Sequence, residues 1–261
     1  MDTILHQLIN YMNTNNKDDI YYQLAKVMIE NIDMIAQLKI ESLAELCFVS
    51  PSTVSRFCRK LGYRNFNSFK EQFANNYGFE IDYTREYLTN ADNLEKEYEN
   101  INQAKKANLD ALAANVDSTE IIKLCQLIHD SSSIHCFGNT IYQFILLYLQ
   151  NRLSLFKKII YVYIDNNKQV EVARSLGPED VAITISPRGH TGSHYLREMY
   201  KNEVHSILIT QNPNATNIEK YTDTLVLGGD FDNNLGMSSI MNFIDLVVVT
   251  YYSIYKEDLL V

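Results

Sequence analysis

The spacing of hydrophobic positions changes along the chain. Up to about residue 77 apolar residues recur every three or four positions, as at Leu24, Val27 and Met28, which predicts half-buried helices. From about residue 134 short apolar runs rich in β-branched residues alternate with helical stretches. These runs cover 134–137, 159–164, 181–186, 205–210 and 224–227. Strands alternating with helices are typical of βαβ crossovers, so a helical domain followed by a parallel α/β sheet is predicted.

The segment between these two regions is polar and favours helix. We predict a first domain at 1–77, a helical linker at 78–106 and a second domain at 107–261. Within the second domain, the segment from Thr119 to His129 is predicted to form the first helix on the sheet. The most apolar stretch, from Ile240 to Tyr255, is shorter than a membrane span and contains Asp245, so it predicts a buried terminal helix.

The distribution of charge matters more than the net charge of −9. Of 23 basic and 32 acidic residues, eight of each lie in 1–77, leaving 15 basic against 24 acidic in the remainder. Between Glu45 and Glu71 there is no acidic residue, while five are basic. This local basic segment is compatible with nucleic-acid binding although the whole chain is acidic.

The segment 41–62 has the pattern of a helix-turn-helix. Ala44 supplies the small residue that this motif needs inside its first helix, while Phe48 stands at the turn position that is often glycine. Ser50 and Pro51 suit a helix start and Gly62 suits its end. The apolar residues at the offsets that seal the two helices are Leu43, Cys47, Val49, Val54 and Phe57.

The second helix of this motif is predicted to have one apolar and one polar face. Val54, Phe57, Cys58 and Leu61 share the apolar face, and Ser52, Ser55, Arg56 and Arg59 share the opposite one. Arginine can donate two hydrogen bonds to a guanine edge, so Arg56 is predicted to contact a base. The alternative is a solvated amphipathic helix without specific binding. The predicted DNA-binding residues are Ser50, Ser52, Thr53, Ser55, Arg56, Arg59, Lys60, Arg64 and Lys70.

The segment 35–70 resembles the N-terminal domain of RpiR/MurR-type transcriptional regulators. Their pattern S-x-x-T-x-x-R-x-x-x-x-x-G-[FY], followed by F-x-x-[FL]-K, is matched by Ser50, Thr53, Arg56, Gly62, Tyr63, Phe66, Phe69 and Lys70. The resemblance implies a bacterial-type regulator in which an all-helical helix-turn-helix domain precedes a three-layer α/β SIS domain with a parallel sheet. In that family, the strand ends of the SIS domain bind phosphorylated sugars.

Two loops fall where the resemblance implies a sugar-phosphate site. In the first, Gly138 is present, but Thr140 and Tyr142 replace the second glycine and the serine of G-x-G-x-S. In the second, S-x-S-G-x-T is matched except that Arg188 replaces a serine. Thr210, Thr216, Asp223, Ser238, Ser239 and Asp245 are similar to other parts of the SIS pattern. The predicted ligand-binding residues are Gly138, Asn139, Thr140, Ser186, Arg188, Gly189, His190, Thr191, Ser238 and Ser239.

The altered loops leave two interpretations open. Arg188 can strengthen anion binding, because a guanidinium contacts phosphate or carboxylate bidentately. Alternatively, Arg188 and Tyr142 fill the cavity, and the domain only dimerises or binds another effector. We therefore expect a regulator of carbohydrate genes, a homodimer or higher homo-oligomer, that binds an operator in double-stranded DNA and responds to a sugar phosphate.

Enzymatic, metal and membrane functions are not expected. A sugar-phosphate isomerase needs an acid/base pair, and no spacing marks His190, His194 and Glu198 as one. His190 and His194 are four residues apart but lack a third ligand, so no metal or other cofactor is predicted. The four cysteines lack metal or disulfide spacing and are interpreted as small core residues. Without a secretory signal at the N-terminus, the expected location is the cytoplasm.

Overall fold

The computed structural model describes residues 4–74, 94–138, 141–189, 193–231 and 236–257. They form two compact units, one within Asp2–Thr89 and one within Asn90–Val261. Each unit has its own hydrophobic core. The fold is therefore described unit by unit.

The first unit is helical. Its helices are α1 (Ile4–Thr14), α2 (Ile20–Glu30), α3 (Ile40–Leu46), α4 (Pro51–Lys60) and α5 (66–74), with a short 3₁₀ helix at Ile32–Met34. Aromatic rings fill much of its core: Tyr21 stacks on Phe57 at 5.3 Å between centroids, and Phe66 stacks on Phe69 at 6.1 Å. The predicted helical N-terminal domain is confirmed.

The second unit combines helices with a parallel sheet. Its helices are α6 (Leu94–Asn115), α7 (Ser118–Asp130), α8 (Ile141–Ser154), α9 (Asn166–Ser175), α10 (Ser193–Lys201), α11 (Met237–Tyr255) and a 3₁₀ helix at Ile218–Lys220. Its strands are β1 (Ile134–Gly138), β2 (Tyr161–Val162), β3 (Val181–Ile185), β4 (His205–Thr210) and β5 (Asp223–Val226). Every strand pair is parallel, in the order β2-β1-β3-β4-β5.

The sheet is covered by helices on both faces because successive strand residues point to opposite sides. Cys136 of β1 packs into a core with α7, α8 and α11, whereas the next residue, Phe137, packs into a second core with α9 and α10. This arrangement confirms the predicted three-layer α/β domain.

The sheet contains a topological switch point. The chain moves outward from β1 to β2, then returns to the other side of β1 to build β3, β4 and β5. Gly138 at the end of β1 pairs with Ile185 at the end of β3. Ligands of open α/β sheets bind at the carboxyl ends of strands that flank such a point. The two predicted loops therefore begin side by side.

Some predicted elements differ in extent. The run 159–164 yields only Tyr161–Val162 as strand, since β2 lies at the sheet edge and pairs on one side. Helix α6 continues across residues 106 and 107, where the linker was predicted to end and the second domain to begin. These domain bounds stay a prediction. Helix α7 packs on the sheet as predicted, although Ile122 of its apolar set is exposed.

The final helix is only partly buried, contrary to a fully buried terminal helix. Phe243 and Val247 face the core, whereas Leu246, Val249 and Tyr252 are exposed. By length and composition alone α11 is apolar enough to cross a membrane. The face of α11 that carries Phe243 and Val247, however, packs against α7 and the sheet. These contacts show that this face serves packing within the domain.

The cysteines are mostly core residues, as predicted. Cys58, Cys125 and Cys136 are buried and Cys47 is half-buried. Burial raises the pKa of each of the three buried thiols to about 12. A thiol that stays protonated is a poor nucleophile and a poor metal ligand.

Candidate DNA-binding and ligand sites

Helices α3 and α4 pack together as the motif requires. Leu43 and Ala44 of α3 share a buried core with Val54, Phe57 and Cys58 of α4. The remaining predicted sealing residues, Cys47 and Val49, are partly buried against the same core, as is Leu61 of the predicted apolar face. Ala44 is small enough to allow the close crossing. The apolar face of α4 is therefore used inside the domain.

The start of α4 is fixed by hydroxyl groups. The Ser50 Oγ accepts a hydrogen bond from the Thr53 backbone N–H at 3.2 Å and lies 2.9 Å from the Thr53 Oγ1. Pro51 occupies the first turn, where no intrahelical donor is needed. Thr53 is buried, and Arg56 donates to its hydroxyl at 3.4 Å. The Thr53 hydroxyl is thus engaged within the helix start, and its predicted DNA contact stays a prediction.

The opposite face of α4 is open to solvent. Ser52, Arg56 and Arg59 are exposed, and Ser55 is half-exposed. Arg64, just beyond α4, is exposed as well. Lys60 is exposed too, with its ammonium 5.5 Å from the Tyr11 ring centroid. Hydroxyl and guanidinium groups on one exposed helix face can donate to bases and phosphates.

Lys70 has a different environment from the other basic residues. Its ammonium donates to the Leu38 carbonyl at 2.7 Å and lies 5.8 Å from the Phe66 ring centroid. The hydrogen bond ties α5 to the segment before α3. The geometry gives Lys70 a structural contact, and its predicted phosphate contact stays a prediction.

A capping network joins α1 to the start of α2 in the same domain. Asp19 caps α2 by accepting from the Tyr21 N–H at 2.8 Å and from the Tyr11 hydroxyl at 2.8 Å. These hydrogen bonds lower the pKa of Asp19. Burial, and then the bond to Asp19, raise the pKa of Tyr11 to about 12. Lys60 thus extends from α4 toward an aromatic and acidic group that anchors α1 and α2.

In the second unit, buried amides hold the loop after β1. The Gly138 carbonyl accepts from Gln143 Nε2 at 3.1 Å and from Gln169 Nε2 at 2.9 Å. Gln169 also donates to the Tyr163 carbonyl at 2.8 Å, so it joins the ends of β1 and β2. Asn139 and Thr140 lie outside the described residues. Tyr142 packs against the sheet core with the apolar residues of α8.

The loop after β3 is fixed by the end of β4. The Pro187 carbonyl accepts from Thr210 Oγ1 at 3.0 Å and from the Gln211 and Asn212 backbone N–H groups. Gly189 has a φ of +70°, and its carbonyl accepts from Thr216 Oγ1 at 2.9 Å. The half-buried Ser186 begins this loop. Predicted His190 and Thr191 lie outside the described residues.

Arg188 is half-buried, and its backbone is held by a hydrogen bond. Its Nε donates to the Phe231 carbonyl at 3.2 Å, and its own carbonyl accepts from Asn212 Nδ2 at 2.9 Å. A guanidinium carries five N–H donors in a planar fork, a geometry that suits phosphate and carboxylate.

Several predicted polar residues are used inside the fold. Ser239 is buried, donates to the Gly236 carbonyl at 2.8 Å and accepts from Gln211 Nε2 at 3.0 Å. Both hydrogen bonds of the Ser239 hydroxyl are thus made inside the fold, and its predicted ligand contact stays a prediction. Ser238 is half-buried. Asp223 pairs with His205 at 3.0 Å, and Asp245 accepts from Tyr148 at 2.7 Å.

Sequence analysis missed the positioning amides Gln143, Gln169 and Gln211, because a lone glutamine carries no motif.

The comparisons with known proteins agree with this geometry. Residues 3–78 match the model of the helix-turn-helix domain, rpiR family. This match covers the helical N-terminal unit, which is thus similar to the rpiR-family helix-turn-helix domain. HexR of Pseudomonas aeruginosa, an HTH-type transcriptional regulator, is 25% identical over 191 residues, covering 73% of this chain and 66% of HexR. An HTH-type regulator of Caldanaerobacter subterraneus subsp. tengcongensis is 25% identical over 65% of this chain and 60% of its own length. The matches thus span less than two thirds of these relatives.

Solved structures support the fold of the rest of the chain. Vibrio vulnificus NanR, complexed with ManNAc-6P, aligns over 97% of this chain and 92% of NanR with a TM-score of 0.53 and 21% identity. The sugar isomerase domain of an RpiR transcription factor from Sphaerobacter thermophilus aligns over 62% of this chain and 92% of its own, with a TM-score of 0.55 and 14% identity. The predicted resemblance to RpiR/MurR-type regulators and the SIS-like fold are confirmed.

Proposed function

We propose that the chain is a sequence-specific DNA-binding transcriptional regulator controlled by a phosphorylated sugar or related anion. Its domains are taken as 1–77 for DNA, 78–106 as a helical linker and 107–261 for effector binding and dimerisation. It acts in the cytoplasm on carbohydrate genes, as a homodimer on operator DNA. The observation that carries the proposal is the exposed Ser and Arg face of α4, whose opposite face is sealed into the helix-turn-helix core.

The DNA-binding part is supported by chemistry as well as by family. Arg56 and Arg59 are exposed on α4, and Ser52 is exposed beside its N-terminus. Such side chains can contact base edges in the major groove and adjacent phosphates. Because two-fold regulators contact two half-sites, an effector that alters the spacing of two recognition helices changes DNA affinity.

The effector part is supported by the switch point of the sheet. Gly138 and Ile185 bring the two loops together, and Ser186, Arg188 and Ser238 are polar residues with partial exposure on the loops or at the start of α11. Among solved structures of similar fold, NanR is complexed with the sugar phosphate ManNAc-6P. A phosphate accepts hydrogen bonds from backbone N–H groups and an arginine in such a setting.

A second candidate function is a regulator whose SIS-like domain serves dimerisation or another effector. Tyr142 packs on the core where the family pattern has serine, and the Arg188 Nε is already bonded to the Phe231 carbonyl. An isomerase is not proposed. Glu198 lies 4.0 Å from the Arg174 guanidinium, and the His194 side chain lies outside the described part of α10.

Two experiments on the intact chain separate these functions. Selection from a random duplex library is expected to enrich a sequence with inverted half-sites, and recovery of no sequence would contradict the regulator. Thermal unfolding with a panel of sugar phosphates is expected to show stabilisation by one compound and none by its unphosphorylated sugar. Specific DNA binding without any stabilising sugar phosphate would favour the second candidate.

A further inference from the structure

Two helices of the DNA-binding domain end with the same backbone motif. At the end of α3, the Phe48 N–H donates to the Glu45 carbonyl at 3.1 Å and the Val49 N–H donates to the Ala44 carbonyl at 2.9 Å. At the end of α4, Gly62 and Tyr63 donate to the carbonyls of Arg59 and Cys58 at 3.0 and 2.9 Å. Both pairs of bonds have the Schellman pattern, which requires a left-handed residue just after the helix.

The residue in that left-handed position differs between the two ends. Gly62 has a φ of +94°, a conformation that costs glycine little. Phe48 has a φ of +54°, where its Cβ approaches the following carbonyl oxygen and destabilises the folded state. The α4 end shows that this domain uses glycine for the same turn. Phenylalanine at 48 therefore lowers stability relative to glycine.

Packing within the domain does not offset this loss. Phe48 is 97% exposed, so its ring gains almost nothing from burial in the fold. Backbone strain clusters at functional sites, so a strained residue whose ring the domain leaves exposed is a candidate for contact with a partner. The two observations are independent, since one concerns the backbone and the other the side chain.

The position of Phe48 indicates which partner it contacts. Phe48 precedes the α4 cap Ser50 by two residues, and Ser50, Pro51 and Ser52 are all exposed. Phe48 and the α4 N-terminus thus belong to one short exposed segment, in which Val49 alone is half-buried. The N-terminal residues of a recognition helix are those that enter the major groove. Apolar groups available there are thymine methyls and deoxyribose carbons.

We propose that Phe48 is a DNA-contacting residue whose ring packs on apolar groups of the operator beside the bases contacted by α4. The proposal rests on the proposed DNA-binding function and adds a specific contact to it. The Phe48 ring makes an apolar contact, which the serines and arginines of α4 cannot supply.

The test compares stability and DNA affinity in full-length variants, using a duplex selected by the wild-type protein. Phe48→Gly is expected to raise the thermal midpoint, because it relieves the left-handed strain, and to weaken binding of the selected duplex by about tenfold. Phe48→Trp keeps an aromatic ring at the same strained position and is expected to retain most of the affinity. Opposite changes in stability and affinity cannot arise from a purely structural residue.

A duplex with uracil in place of thymine separates the two apolar contacts. If Phe48→Gly no longer weakens binding to the uracil duplex, the ring contacts thymine methyls, and if the loss persists, it contacts deoxyribose. Both results support the proposal. Unchanged affinity of Phe48→Gly for the selected duplex, with wild-type binding intact, would overturn it and point to a protein partner. Failure of the wild-type chain to select any duplex would overturn the DNA-binding function itself.

Discussion

The backbone of Gly189 lies so close to Ala215 that an ideal Cβ on Gly189 would be 2.3 Å from the Ala215 Cβ and 2.5 Å from its Cα. The contact involves backbone as well as side chain, so a small shift of one methyl group cannot relieve it. Gly189 also has a φ of +70°, which disfavours other residues. The close approach holds the loop after β3 against the segment after β4.

Replacement of Gly189 by alanine is therefore expected to destabilise the second unit. The clash and the left-handed backbone together predict a loss of about 3 kcal/mol in the free energy of unfolding. Urea unfolding followed by circular dichroism measures this loss. Gly177→Ala is the matched control, because no atom lies within 4 Å of its added Cβ. Equal midpoints for the two variants would contradict the packing of this loop.

Arg56 is expected to contribute to specific DNA binding. Its guanidinium is exposed on α4 beside Ser52, so Arg56→Ala should remove a base contact and cost about 1 to 3 kcal/mol on a selected duplex. Fluorescence anisotropy with the selected and a scrambled duplex checks this. Lys26→Ala, on the exposed side of α2, is a charge-matched control. An equal loss on both duplexes would make Arg56 a phosphate contact.

Gln169 is expected to stabilise the carboxyl end of the sheet. Gln169→Leu removes the donor at 2.8 Å from the Tyr163 carbonyl and one of the two amide donors to the Gly138 carbonyl, which keeps Gln143 Nε2 at 3.1 Å. A buried carbonyl left unsatisfied costs about 1 to 3 kcal/mol, so urea unfolding should show a loss of that order. The same change at the exposed Gln126 of α7 is the control. A midpoint for Gln169→Leu equal to that of the control would show that these bonds contribute nothing.

The stability of the second unit should depend on the protonation of His135. This residue lies 2.7 Å from the Tyr163 hydroxyl and 2.8 Å from the Ser133 hydroxyl. Burial lowers its pKa, and the Asp180 carboxylate opposes this effect. Because the unfolded state then binds the proton more tightly, the stabilisation is complete above the unfolded pKa of about 6.5 and declines as the pH falls below it.

The measurement is the urea midpoint between pH 7.5 and pH 5.5. We expect the wild-type midpoint to fall with pH more steeply than that of His135→Gln, which cannot titrate in this range. Asp180→Asn removes the opposing carboxylate and should steepen the fall further. Parallel curves for wild type and His135→Gln would show that His135 does not contribute.

The sequence predicts those features that depend on local pattern. Strand and helix identity, the cap at Ser50 and the sealed face of α4 follow from periodicity and residue type over a few positions. Lys70 and Ser239 make hydrogen bonds to partners that are 32 and 28 residues away along the chain, Leu38 and Gln211. Spacing along the chain cannot reveal such contacts. For the same reason, it did not identify Gln169, whose carbonyl partner at Gly138 is 31 residues away.

The most direct test of the regulator is the affinity of the intact chain for its selected duplex, with and without sugar phosphates. The account predicts specific binding whose Kd changes at least about tenfold with one phosphorylated sugar and not with the unphosphorylated sugar. A Kd for the selected duplex no lower than that for a scrambled duplex, with every sugar phosphate in the panel, would contradict it.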